Sequence, residues 1–277
     1  MIDLGSFGGI LLALLGVIGG MTMEGGSLSQ IAQPAALLIV LGGTAGAAML
    51  QFPIAIFWAA MKQVTRVFVT RSSDAEAIVE RITGFAWQAR KTGVISLEAH
   101  VDALEDGFLR QALTLAIDGV EPSEVRAIMQ FELDNKAEFA EQVPQVLEAA
   151  GGFAPTVGIL GAVLGLIQVM QHLDDIGAVG RGIAVAFVST IYGVGLANLV
   201  LLPAAGKMKI REAEEQMVKA MMLEGVISIL EGMNPRMIET RLRTFLFDGT
   251  TPLKSKRRSR RRARLEEDTE YGTEVPA

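Results

Sequence analysis

Four hydroxyl-bearing side chains, Thr156, Ser189, Thr190 and Tyr192, sit inside two apolar runs that hold no charged residue. The first run is GGFAPTVGILGAVLGLIQVMQ, Gly151 to Gln171, and the second extends from Gly182 to Pro203. Each has the roughly 20 residues needed to cross the hydrocarbon core of a bilayer. A hydroxyl in such a setting can hydrogen-bond a carboxylate or its waters, which is the chemistry of an ion path. A proton relay at membrane depth ordinarily needs a titratable group. The apolar spans supply no carboxylate, lysine, arginine or histidine. Either the runs conduct nothing, or they form the wall of a path whose acid arrives on another chain. The plainer account of the hydroxyls is that each bonds its own preceding carbonyl, as serine and threonine commonly do in membrane helices.

Composition narrows the classes. Of 277 residues, 50% are hydrophobic and 20% charged, and the apolar residues are unevenly spread. That is the profile of a membrane protein with sizeable soluble parts. The chain has no cysteine and only His100 and His172. Disulfides and thiolate or histidine metal sites are therefore not expected. No phosphate-binding loop, dinucleotide glycine fingerprint, nucleophile elbow or zinc-protease helix motif occurs, so no catalytic residues, metal or cofactor are assigned and no enzymatic activity is expected. Nothing points to nucleic acid.

Four apolar runs must position these residues. Leu4 to Met21 is uncharged and rich in glycine, and it reads as a retained helix rather than a cleaved signal. Thr22 to Gln33 is a short turn. Pro34 to about Ala60 follows, broken at Pro53, with LGGTAGAAM at its centre. Small residues there let helix backbones approach closely in lipid. Lys62, Arg66 and Arg71 follow the second run, and Lys207, Lys209 and Arg211 follow the fourth. The outer turns are nearly free of basic residues, so the positive-inside rule places both termini and the polar segments in the cytoplasm.

The polar stretch from Arg71 to Gln145 has helical spacing. Ile78, Val79, Ile82, Phe85, Ala86 and Ala89 recur every three to four residues. Ser73 and Asp74 offer a cap, and Gly93 a stop. A second helix is predicted from Ser96 through Leu104, Phe108, Leu109 and Leu113, and a third from Pro122 toward Val143. After Pro203 the pattern remains helical to Leu230, and Gly232 to Pro235 interrupts it. Arg236 to Phe247 closes the folded part. The expected fold is an all-α membrane protein, four transmembrane helices with a helical cytoplasmic domain. Its segments are 1–61 for the first two spans, 62–150 cytoplasmic, 151–205 for the last two spans, 206–248 cytoplasmic, and 249–277 a tail. That tail carries eight basic residues between Lys254 and Arg264, then an acidic run. It reads as solvated and disordered, with anionic lipid as a further contact of its basic half.

Pro155 and Pro203 stand at the cytoplasmic ends of the third and fourth runs. They read either as start-and-stop punctuation or as two hinges at one membrane level, able to pass a change inside the bilayer to the cytoplasmic helices.

Three segments resemble the MotA/PomA family of flagellar stator proteins: PTVGILGAVLGLIQVM with LDD after it, GRGIAVAFVSTIYGVGLANLVLLP, and EGVISILEGMNPRMIETRLRTFL. The loop ARKTGVISLE and the four-span plan agree, so the resemblance covers about residues 1 to 247. It implies a ring of five such chains around two copies of a MotB-like partner. That partner has one membrane span, carries the missing aspartate and binds peptidoglycan. Ion flow would turn the flagellar rotor through contact with its switch protein FliG. By the same resemblance Arg90, Lys91 and Glu98 engage the rotor, Thr190 lines the channel, and Pro155 and Pro203 are functional prolines. Ala162 falls where sodium-driven relatives carry threonine, which implies proton coupling in the bacterial inner membrane. The alternative is an ExbB/TolQ-like energiser of outer-membrane transport, whose relatives usually have three spans and lack the GMNPR segment. A scaffold without ion flow is the third reading.

Overall fold

The computed structural model describes residues 3–66 and 74–246. Arg71, Ser73 and the basic and acidic tail fall outside them. Among the described residues every regular element is helical. In chain order they are α1 (Leu4–Met23), a single turn α2 (Leu28–Ile31), α3 (Pro34–Gln51), α4 (Ile54–Arg66) and α5 (Ala75–Thr92). A 3-10 turn (Val94–Leu97) then leads into α6 (Glu98–Val101) and α7 (Gly107–Ile117). There follow α8 (Pro122–Gln171), α9 (Ile176–Gly195), a π-helical turn (Leu196–Leu201), α10 (Leu202–Leu230) and α11 (Pro235–Phe245). Among the described residues four helices are long and apolar enough to cross a membrane, found in α1, α3, α8 and the α9–α10 run.

The chain forms two compact units. The larger comprises Met1–Ser73 and Arg126–Ala220, the smaller Asp74–Val125 and the chain from Met221 onward.

In the larger unit, α3 buries Ala36, Val40, Thr44 and Ala48, one residue per turn. That stripe is the side-chain seam of a helix repeating every four positions, and α3 lies along α9. Phe52 is extended (φ −118°, ψ 149°) before Pro53. Proline's ring disfavours the helical region for its predecessor, so the second apolar run splits into α3 and α4 there. Below the break, Ile56, Phe57 and Ala60 of α4 bury with Val143, Val146 and Leu147 of α8 and Ala204, Ala205 and Met208 of α10.

In the smaller unit, Asp74 accepts from the Ala77 amide at 3.2 Å and caps α5. Val79, Ile82, Phe85 and Ala86 form its buried face. Gly93 ends the helix at φ 84°, a left-handed conformation that suits a residue without Cβ. The α5 face packs on α11, which buries Ile238 and Leu242. A Cβ on Gly225 of α10 would approach Ile82 Cγ2 to 2.7 Å, so Gly225 is what lets α10 close on α5.

Two predicted helices are corrected. The one expected from Ser96 through Leu113 is broken after Val101, and α7 restarts at Gly107. Asp106 accepts from the Leu109 amide at 2.9 Å. A carboxylate that caps a helix start offers the backbone an alternative to continuing the previous helix. The third helix does not stop near Val143. It continues through Pro144 and Pro155 to Gln171.

Candidate functional site

The first uncharged run forms the C-terminal part of α8, the second runs from within α9 through the π-helical turn to the start of α10, and the two meet through glycine. A Cβ on Gly158 would lie 2.8 Å from the Ser189 carbonyl oxygen, and one on Gly165 would lie 2.7 Å from that of Gly182. One on Gly161 would reach the Ser189 hydroxyl at 2.7 Å. Backbones this close are possible only where side chains are missing, and packing of this kind replaces water exclusion as the glue between helices in lipid.

This seam sorts the hydroxyls. Ser189 is fully buried in it, and its hydroxyl donates to the Val185 carbonyl at 2.7 Å. Thr190, half-buried, donates to the Ala186 carbonyl at 3.4 Å, a long bond that leaves the hydroxyl available. Thr156 is exposed and donates to the Phe153 carbonyl at 2.8 Å. Tyr192 reaches across helices to donate to the Ile31 carbonyl, and its hydroxyl also lies 3.5 Å from the Gln33 amide nitrogen. Ala162 is half-buried. Each hydroxyl thus has a carbonyl partner within this chain. Ser189→Ala is expected to cost about 1 kcal/mol at most, because its bond is local and alanine fits the space. Ser189→Val adds two methyl groups against Gly158 and Gly161 and is expected to lose about 1–3 kcal/mol, read from the midpoint of unfolding in detergent.

The prolines are not punctuation. Pro155 is inside α8. Pro203 is the second residue of α10, and the turn immediately before it is π-helical. Proline lacks the amide hydrogen and its ring collides with the carbonyl four residues back. The widened turn relieves that collision at Leu199, and the Leu202 amide accordingly bonds the Ala197 carbonyl, five residues back. Helix continues past both positions because a wider turn or a neighbouring helix can absorb what proline removes.

The three predicted contact residues lie in the smaller unit and are all exposed. Arg90 and Lys91 occupy the last turn of α5, where a cation suits the helix dipole. Glu98 opens α6, where an anion does. The 3-10 turn Val94–Leu97 lies between them in the chain.

Residues 7–91 match the Motility protein A N-terminal family, and residues 100–221 match the MotA/TolQ/ExbB proton channel family. Motility protein A of Bacillus subtilis (strain 168) is 34% identical, the alignment covering 86% of this chain and 88% of that one. The chain belongs to the motility protein A family. Chemotaxis protein PomA of Vibrio alginolyticus is 31% identical over 88% of this chain and 98% of its own. The structure of C. jejuni MotAB aligns with a TM-score of 0.86 at 29% identity, covering 92% of this chain and all of that one. The family fold is therefore all-helical and multi-pass, and its members are not enzymes. Among the described residues no group of three or more histidine, aspartate or glutamate side chains could hold a metal.

Sequence reasoning missed one charged site in this MotA-family chain. Asp3 caps α1 by accepting from the Ser6 amide at 3.0 Å. Its carboxylate also takes an ion pair from Lys207 and another from Arg211 at 2.9 Å. The two cations are four residues apart and share a face of α10. Lys209, on another face, pairs with Glu148 of α8 at 2.8 Å. The cations read as topology markers are thus also specific tethers, and Asp3 gives α1 a fixed foot. The Lys207 ammonium, the largest cause, and the Ser6 amide hold the Asp3 carboxyl at about 2. Nothing in the local sequence announces a partner two hundred residues away.

Proposed function

We propose that this chain is a stator subunit of the bacterial flagellar motor, coupling ion flow to torque. One observation carries the reading: in a chain that matches a proton channel family, the apolar runs of α8 and α9 pack into a wall that has hydroxyls and no charged side chain. A wall of this kind completes a proton path only when a second chain inserts a carboxylate. The acid comes from a MotB-like subunit with one span and a peptidoglycan-binding domain, and several copies of this chain, five by family resemblance, surround it. Thr156, Ala162 and Thr190, which retain exposure, line the path around that helix and Ser189 backs them, while Tyr192, whose hydroxyl is tied to the junction of α2 and α3, braces the wall. The methyl group of Ala162 cannot ligate sodium, which supports proton coupling. Both termini and the smaller unit lie in the cytoplasm of the inner membrane, as the basic residues after the second and fourth runs favour. There Arg90, Lys91 and Glu98 meet the rotor switch protein FliG. Pro155 and Pro203 are the hinges between path and rotor-facing helices, and the basic tail lies near anionic lipid.

The test is flux. Co-expressed with its single-span partner, the chain is expected to conduct protons across vesicles. Changing the partner's membrane aspartate to asparagine is expected to bring flux to the background of empty membranes. Undiminished flux would refute the borrowed-acid mechanism. Separately, Arg90→Glu with Glu98→Lys is expected to stop swimming while leaving membrane abundance unchanged.

A further inference from the structure

The rotor-facing segment of the smaller unit, the end of α5 and the 3-10 turn after it, presents two apolar side chains that the charges do not account for. Trp87 is 42% exposed and Ile95 is 72% exposed. Trp87 stands three and four residues before Arg90 and Lys91, so the three share one face of α5. Ile95 is at the tip of the 3-10 turn between Lys91 and Glu98.

That tip is held rigid. Gln88 Nε2 donates to the Ser96 carbonyl at 2.9 Å. The Thr92 hydroxyl is 3.0 Å from the Gln88 carbonyl and 2.8 Å from the Ser96 hydroxyl. Ser96 Oγ donates to the Gly93 carbonyl at 2.7 Å. Leu97 is fully buried and pins the turn from beneath. Three polar side chains and one buried leucine thus fix a four-residue turn whose one exposed residue is an isoleucine. A single exposed aliphatic residue needs no explanation. A tryptophan near the end of α5 and an isoleucine on the pre-ordered turn that follows it, in a segment that also carries the exposed Arg90, Lys91 and Glu98, match the composition of a binding hot spot: apolar anchors beside charges.

We infer that Trp87 and Ile95 are the apolar anchors of the rotor contact. They seat in an apolar socket on the partner that is bordered by a carboxylate, facing Arg90 and Lys91, and by a base, facing Glu98. This rests on the rotor-contact reading above and adds a division of labour to it. Exposed charges contribute little each and act chiefly on encounter and register. Apolar anchors on a rigid turn set how long the contact lasts under load.

The experiment uses the full stator complex in lipid nanodiscs and the purified rotor switch protein, titrated at two salt concentrations. Trp87→Ala and Ile95→Ser are each expected to weaken binding about tenfold or more with the salt dependence unchanged. Trp87→Phe and Ile95→Leu are expected to restore it. Circular dichroism and complex yield show that each variant is folded. A photo-crosslinker at position 95 is expected to label the rotor protein. Binding within twofold of the parent in both variants, while Arg90→Glu with Glu98→Lys abolishes it, would overturn the anchor role and leave the charged contact standing. Unchanged binding in the charge-reversed complex as well would remove the rotor contact altogether. Labelling of a second copy of this chain would reassign the face to the ring itself.

Discussion

Gly193→Ala is expected to cost the larger unit about 1–3 kcal/mol, and Gly193→Val to prevent assembly. A Cβ at Gly193 would collide with the Ala154 carbonyl oxygen and meet Gly158 Cα at 3.1 Å. Both obstacles are backbone, so no rotamer change relieves them, and α8 and α9 would have to separate. Separation opens the wall of the proposed path. Gly195, two residues on, has nothing within 4 Å of an added Cβ. Gly195→Ala is therefore expected to be neutral or slightly stabilising in the isolated chain, since alanine favours helix over glycine by up to about 1 kcal/mol. Unfolding midpoints in detergent and swimming on soft agar measure both. Equal outcomes at 193 and 195 would show that the glycine seam does not hold the helices together.

Asp3→Lys is expected to cause the next largest loss. It replaces a carboxylate bonded to Lys207 and Arg211 with a third cation on the same spot. The Asp3 side chain is only 16% exposed, so solvent screens the repulsion incompletely. The first helix would lose its cap and its foot on α10 together. The double variant Asp3→Lys with Lys207→Asp is expected to recover part of the loss, because opposite charges face one another again. Membrane abundance of the two variants reads this directly. The pH dependence follows from the depressed carboxyl. A group whose folded pKa, about 2, lies below its ordinary value of 3.8 contributes stability that is complete above about pH 5. That contribution falls away as acid protonates Asp3 on the way down to pH 2. The tether is therefore expected to be constant from pH 5 to 8, and Asp3→Asn is expected to remove its charge component throughout that range.

Much of the architecture was legible before any coordinates. Spans reveal themselves because burial in lipid demands about 20 apolar residues in an unbroken run. The helices of the smaller unit reveal themselves because a half-buried helix repeats its apolar residues every three to four positions, as Ile78, Ile82 and Phe85 do. Short-range rules failed at particular points. The helix expected across Ser96 to Leu113 breaks because the Asp106 cap competes with propagation, a contest between two local options that apolar spacing alone cannot judge. Pro155 and Pro203 read as helix ends under rules for water-solvated chains. Inside packed helices, with a π turn before Pro203, the chain continues past them.

The sequence by itself determined the helical class, the four apolar spans and the absence of an acid within them, because these depend on composition and on contacts within a turn or two. Only the tertiary structure decided which of the glycines are indispensable, that Ser189 lies within the seam, that Asp3 answers Lys207 and Arg211, and that Trp87 and Ile95 remain uncovered. Those facts depend on residues far apart in the chain meeting in space, and a side chain's role there is set by its neighbours, which no local pattern encodes.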